Sequence, residues 1–352
     1  MSGLQGRRVL FVCELGPPFT GNTYRTTGVG GTESCVVLLA EAFAERGASV
    51  VVANRVPVAS VERAVQYVPL EAIGTAASDL IVLWKRWSDA AAGRPGAKVF
   101  LWTDAHIADD ANLARCREWA DVSCTLSEFQ RHRLAAATGG ARLVSLDCAP
   151  IATADYAATS PQTEKTERLL LYCSVPDRGL YYLKDLFPRI RRRVPDARLV
   201  ITSDFTLWGA EPAKATFLRF FEDSEGVDYL GHVSRAELVA WQRRARVMAY
   251  PCQFEEGFCL AAAECMAAGA VPVTTGRYAL VQTVADGGVL IGGHPRGWLY
   301  HRRFVRACVE LLTDDQRWQG YVERGRSRAL RDFAPGHVLD RVLQALESHA
   351  PR

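Results

Sequence analysis

No apolar run in this chain approaches the length of a membrane span, about 18 residues, and no secretory apolar segment opens it. Both absences lead to the expectation of a cytoplasmic protein. The 10 cysteines form no C-x-x-C pair and no Cys/His spacing suited to a metal. Several thiols, Cys13 and Cys173 among them, lie in apolar runs, where a free buried thiol in a reducing compartment is expected. No basic block accompanies the net charge of +3, so nothing argues for nucleic acid as a partner. No D-x-D clamp stands at a strand end, so no metal is expected, and no phosphate loop with its lysine is present. The run G-V-G-G-T-E places Glu33 where a dinucleotide fingerprint has its third glycine, which disfavours a nicotinamide oxidoreductase.

What remains is ample for two cores: 352 residues, 49% of them apolar. Arg8 to Cys13 is a continuous apolar strand, the mark of burial on both faces. Glu14 to Val29 reads as a loop, in which Tyr24 and Arg25 could meet an acceptor or simply decorate a mobile segment. Gly30 and Gly31 then open a helix through Arg46, with Thr32 as N-cap and Val36, Leu39, Ala40 and Phe43 at helical spacing. Val50–Ala53, Val65–Val68, Leu80–Trp84, Val99–Trp102, Asp121–Leu126 and Leu143–Leu146 follow as strands, with a helix from Ser127 through Ala135. Asp104 and His106 emerge at the carboxyl end of Val99–Trp102, as site candidates or as caps of the next segment. Arg131, His132 and Arg133 form a face too short to establish peripheral membrane contact, which stays open.

Thr153 to Glu167 is polar and without period, and reads as a linker. Then the alternation restarts: strand Leu169–Cys173, loop Ser174–Gly179, helix Leu180–Arg192, strand Leu199–Thr202. Arg178 in that loop is a natural fork for a diphosphate, with a solvated surface charge as the alternative. The run Arg189–Arg193 reads as a solvated helix end.

The organising stretch is Tyr250 to Thr275. A short apolar strand, Val247–Tyr250, ends at Pro251; a polar loop delivers Glu255, Glu256 and Gly257; Leu260–Ala268 is a run of helix formers; Gly269 sits at a helix C-terminus; and Val271–Thr274 is the next strand. Glu256 precedes the helix and Glu264 lies inside it, with the helix's first unpaired N–H groups between them. A carboxylate can accept two sugar hydroxyls, so the layout suits hydroxyl, diphosphate, hydroxyl: a nucleotide sugar. An exposed helix residue at Glu264 and a dipole pair at Glu255 and Glu256 would give the same spacing.

The run E-G-F-C-L-A-A-A-E, followed by C-M-A-A-G-A-V-P-V, resembles the E-x7-E signature of retaining GT-B glycosyltransferases, family four in particular. The resemblance implies an α/β fold of two Rossmann-like domains facing a central cleft. It implies an acceptor-side domain over 1–155, a linker over 156–167, a nucleotide-sugar domain over 168–330, and a terminal helix over 331–352 packing back on the first domain. Glu256 would hold donor-sugar hydroxyls and Glu264 the ribose, with Gly257, Phe258, Cys259 and Leu260 along the donor. Gly30 and Gly31 would face diphosphate or acceptor, and His106 the donor sugar. The backbone at His232 and Val233 would face the base, and Arg178 the diphosphate. The family's commoner pair of cations, Gly-Arg…Lys-Gly, is incomplete here, since Tyr172 or Ser174 stands near the first position; either Arg178 works with a cation from elsewhere, such as Lys184, or diphosphate binding is weaker. The implied activity is metal-independent transfer from a nucleotide sugar to a hydroxyl acceptor with retained configuration. A sugar phosphorylase, a nucleotide-sugar epimerase and a silent nucleotide-binding module remain as alternatives.

Overall fold

The computed structural model describes residues 3–74, 77–91, 93–102, 114–115, 118–138, 142–158, 165, 167–202, 204–206, 219–221 and 224–349. The chain divides into two compact units. One comprises Met1–Arg25, Val29–Ile151 and Ala334–Arg352; the other comprises Thr26–Gly28 and Ala152–Phe333.

The first unit opens with β1 (Arg8–Val12), α1 (Gly21–Arg25), α2 (Gly31–Glu45), β2 (Ser49–Asn54), β3 (Ser60–Glu62) and β4 (Val65–Pro69). It continues through β5 (Leu80–Trp84), β6 (Ala97–Trp102), β7 (Val122–Thr125), α3 (Glu128–Thr138) and β8 (Leu143–Ser145). These strands form one sheet in the order β3-β4-β2-β1-β5-β6-β7-β8. Only the β3–β4 pairing is antiparallel. Val9 to Val12 and Leu80 to Trp84 are buried throughout, as strands covered on both faces must be. The hairpin at β3 escapes sequence reading because its turn residues, Arg63 and Ala64, take positive φ without glycine or asparagine. The expected loop Glu14–Val29 contains α1, which Arg25 ties to α2 through Glu41 at 2.6 Å. The N-cap of α2 is Gly30, not Thr32, whose hydroxyl instead donates to Glu33 Oε2 at 2.9 Å.

The second unit holds α4 (Ala154–Ala157), β9 (Leu169–Tyr172), α5 (Leu183–Arg191), β10 (Arg198–Ile201), β11 (Val227–Tyr229), α6 (Arg235–Arg244) and β12 (Val247–Tyr250). After these come α7 (Leu260–Ala267), β13 (Val271–Thr275), α8 (Leu280–Val284), β14 (Val289–Ile291), α9 (Trp298–Thr313) and α10 (Asp315–Asp332). Its all-parallel sheet runs β11-β10-β9-β12-β13-β14. The strand order therefore reverses between β9 and β12, which pair directly. In open α/β sheets such a reversal marks where ligands bind, at the carboxyl ends of the strands. Gly269 takes φ +78 to end α7, as its position past a run of helix formers requires.

Of the stretch expected as a linker over 153–167, the described residues 153–158, 165 and 167 fall within this unit. Tyr156 is fully buried, and its hydroxyl donates to Gln242 at 2.6 Å. Lys165, also buried, donates to the carbonyls of Gln242 at 3.0 Å and Ala245 at 2.5 Å. An ammonium placed on the last carbonyls of α6 satisfies them and meets the negative end of the helix dipole. The last helix, α11 (Pro335–His349), belongs to the first unit, where Arg46, the C-cap of α2, pairs with Asp340 at 2.5 Å.

Candidate active site

The site of the second unit forms where β9 and β12 end. Beyond β9 a 3-10 turn, Pro176–Arg178, carries Arg178. Beyond β12 the loop carries Gln253, Phe254 and Glu256. The two loops dock on each other: Gln253 N donates to the Arg178 carbonyl at 3.0 Å. Gln253 Oε1 accepts from Tyr182 at 2.8 Å and Tyr181 at 3.0 Å. Gly179, at φ +134, allows this approach, since a Cβ there would meet the Pro251 carbonyl oxygen at 2.2 Å.

Arg178 and Glu256 meet across this junction. Arg178 Nη1 stands 3.0 Å from Glu256 Oε1, and its guanidinium lies over the Phe254 ring, 3.4 Å from the centroid. The Tyr250 hydroxyl, at the last position of β12, donates to the same carboxylate oxygen at 2.5 Å. Glu256 is 7% exposed. Among the described residues, no hydrogen bond engages its other oxygen. Burial pushes the Glu256 carboxyl above its ordinary range, while the Arg178 charge and the Tyr250 hydroxyl pull it back down. Burial also holds the Tyr250 phenol well above its ordinary range, so it serves as a neutral donor. The result is a half-buried cation and a carboxylate side by side, an arrangement able to meet a phosphate and a sugar hydroxyl together.

Glu264 sits inside α7 and is not a solvated helix residue. Arg235 Nη1 pairs with its Oε1 at 2.7 Å, and Gln242 Nε2 donates to its Oε2 at 3.2 Å. Arg235 also reaches Asp155 at 3.2 Å and the Tyr156 hydroxyl at 3.2 Å. The supposed linker thus holds the second carboxylate in place. Between the two acids, Gly257, Phe258 and Cys259 are buried, and Leu260 half-buried, at the N-terminus of α7. No side chain caps that terminus. Phe258 meets Phe333 edge-on, with centroids 5.2 Å apart.

The remaining candidates fall in different places. His232 is exposed and Val233 half-buried in the turn before α6, whose N-cap Ser234 forms a capping box with Glu237. Lys184 is exposed on the first turn of α5 and lines a groove shared with α9. In the first unit Gly30 and Gly31 open α2, again without a side-chain cap. Beside them the buried Glu33 pairs with Lys85 at 3.0 Å, where β1 and β5 end. Asp104 and His106 lie outside the described residues.

Sequence reading missed Tyr250, Phe254, Gln253, Arg235, Gln242 and Tyr156. One signal was visible for Arg235, since Ser234-x-x-Glu237 is a capping box that places it at the first helical position. The others act through pairings that only the fold creates.

The family model described as Glycosyl transferases group 1 matches residues 167–314. A GDP-mannose-dependent alpha-(1-6)-phosphatidylinositol monomannoside mannosyltransferase of Mycolicibacterium smegmatis is 30% identical over 256 residues, 66% of this chain. The chain spans 63% of that relative's length. Among solved structures, a glycosyltransferase from Rickettsia africae superposes with TM-score 0.74 at 11% identity, over 98% of both chains. Anabaena Alr3699/HepE, in complex with UDP and glucose, superposes with TM-score 0.68 at 14% identity, over 97% of this chain and 100% of that one. The fold is therefore GT-B, with two parallel-sheet α/β domains.

Proposed function

We propose that this chain, whose residues 167–314 form a glycosyl transferases group 1 domain, transfers a sugar from a nucleotide-sugar donor to a hydroxyl acceptor. The observation that carries this reading is the Arg178–Glu256 pair at the switch point, with Glu264 held by Arg235 on the adjoining helix. Arg178 supplies positive charge for the donor diphosphate, assisted by the uncapped N-terminus of α7. The oxygen of Glu256 that Tyr250 and Arg178 leave open accepts donor-sugar hydroxyls. Glu264, oriented by Arg235 and Gln242, accepts the ribose hydroxyls. Gly30 and Gly31 supply N–H groups to diphosphate or acceptor, and the backbone at His232 and Val233 meets the base.

Transfer proceeds with retention and without metal in this reading. Charge building on the leaving diphosphate is met by Arg178 and helix N–H groups. The leaving phosphate oxygen stays on the face that the acceptor hydroxyl enters and takes its proton. GDP-mannose is the first donor to try, because the mannosyltransferase relative uses it, and UDP-glucose the second. The test is a thermal-shift panel of nucleoside diphosphates and nucleotide sugars, followed by donor hydrolysis and product analysis. Stabilisation by one nucleotide sugar, with slow release of its sugar, supports the reading. No stabilisation by any nucleotide, or nucleotide binding without turnover on any acceptor, overturns it.

A further inference from the structure

Helices α5 and α9 of the second unit enclose a groove of about 640 Å³ that the transfer reaction does not use. Lys184, Arg189, Arg192, Arg193, His301 and Arg302 line it, and Asp185 is the one carboxylate among its described lining residues. No ion pair joins Lys184, Arg189, Arg192, Arg193 or Arg302 to a carboxylate among the described residues. Neighbours on the same helices do pair: Arg191 with Glu225 at 2.5 Å, and Arg306 with Glu310 at 2.6 Å. The cations of the groove thus outnumber its carboxylates, with Asp185 alone against them among the described lining residues. In sequence Arg189–Arg193 is a solvated helix end; the fold sets a second basic helix opposite it.

An apolar rim adjoins the groove. Trp298 is 68% exposed and Leu299 43% exposed, both at the start of α9. The Arg302 guanidinium lies over the Trp298 ring, 5.4 Å from its centroid, so aromatic and cation share one face. Exposed tryptophan beside arginine and lysine that no carboxylate pairs among the described residues suits the headgroup level of a bilayer, where the ring enters the interface and the cations meet phosphate. Their long stems let the charged heads reach phosphate while the carbon chains cover apolar surface.

We propose that the α5–α9 groove, with Trp298 at its rim, docks the second unit on an anionic lipid surface. The occupant is the phosphate-bearing headgroup layer, not a single soluble anion, because the cations spread over two helices and continue into exposed apolar side chains. Docking is independent of the transfer reading, since it needs neither donor nor turnover.

The test is co-sedimentation of the full chain with phosphatidylcholine vesicles and with vesicles containing about one third phosphatidylglycerol. Binding is expected only to the anionic vesicles and is expected to weaken as salt rises. The combined change Arg189→Glu, Arg193→Glu and Arg302→Glu, all at exposed positions, should lower binding by more than roughly 100-fold, at about fivefold for each neutralised cation and more for a reversal. Trp298→Ser alone should weaken binding without altering its salt dependence. The triple variant should keep the wild-type melting temperature and donor hydrolysis. Equal binding to both vesicle types, or wild-type binding by the triple variant, overturns the proposal. So does a thermal shift with inorganic tripolyphosphate that the triple variant loses while no vesicle is bound: that result would mark a soluble-anion site.

Discussion

Arg178 Nη1 and Glu256 Oε1 stand 3.0 Å apart, and this contact joins the loops that follow β9 and β12. Each group alone would be costly at this depth. Together, with Phe254 beneath the guanidinium and Tyr250 bonded to the carboxylate, they make a charged site of defined geometry.

Burial raises the pKa of the Glu256 carboxyl in the folded protein. The folded protein holds this proton more tightly than the unfolded chain does. Stability linked to it is therefore fully present below the ordinary value, 4.5, and is lost as pH rises through the raised folded value. Glu256→Gln removes that titration. The melting temperature of the variant, relative to wild type, should rise from about pH 4 to about pH 7. A flat or falling difference would show that the carboxyl is not held above its ordinary range.

Arg235→Ala leaves Glu264 largely buried without its cation and frees Asp155 and Tyr156 of a shared partner. The expected cost is about 3 kcal/mol in urea unfolding. Nucleotide affinity should fall with it, because Glu264 loses its fixed orientation. Glu264→Gln should cost less stability while losing comparable affinity.

Gly179→Ala forces a Cβ against the Pro251 carbonyl oxygen at a φ of +134. One of the two docked loops must move. A loss of about 2 kcal/mol in stability is expected, with weaker nucleotide binding than the stability loss alone explains. Calorimetric titration below the melting range separates the two effects.

Chelation tests the neutralisation of the diphosphate by protein groups alone. Turnover with the identified donor should be unchanged in excess EDTA, and added magnesium should not raise it. Loss of activity on chelation, restored by a divalent ion, would assign that charge to a metal.

Much of this architecture is legible in the chain itself. Continuous apolar runs such as Val247–Tyr250 read as strands covered on both faces, and alternation with helices points to a parallel sheet. Gly269 marks the end of α7 because a positive φ is needed there. Glu256 and Glu264 are visible from their placement about one short helix. Their partners are not: Arg178 reaches Glu256, and Tyr156 reaches Gln242, through strand order that no local pattern encodes. The polarity of 153–167 reads as linker because Lys165 and Tyr156 hide their role, which is to satisfy groups on α6.

The most direct measurement compares wild type and Glu256→Ala for nucleoside diphosphate affinity and for sugar transfer in one preparation. The variant should bind the diphosphate nearly as well as wild type, lose the added affinity for the nucleotide sugar, and show no transfer. Transfer by Glu256→Ala near the wild-type rate would contradict the role assigned to this carboxylate.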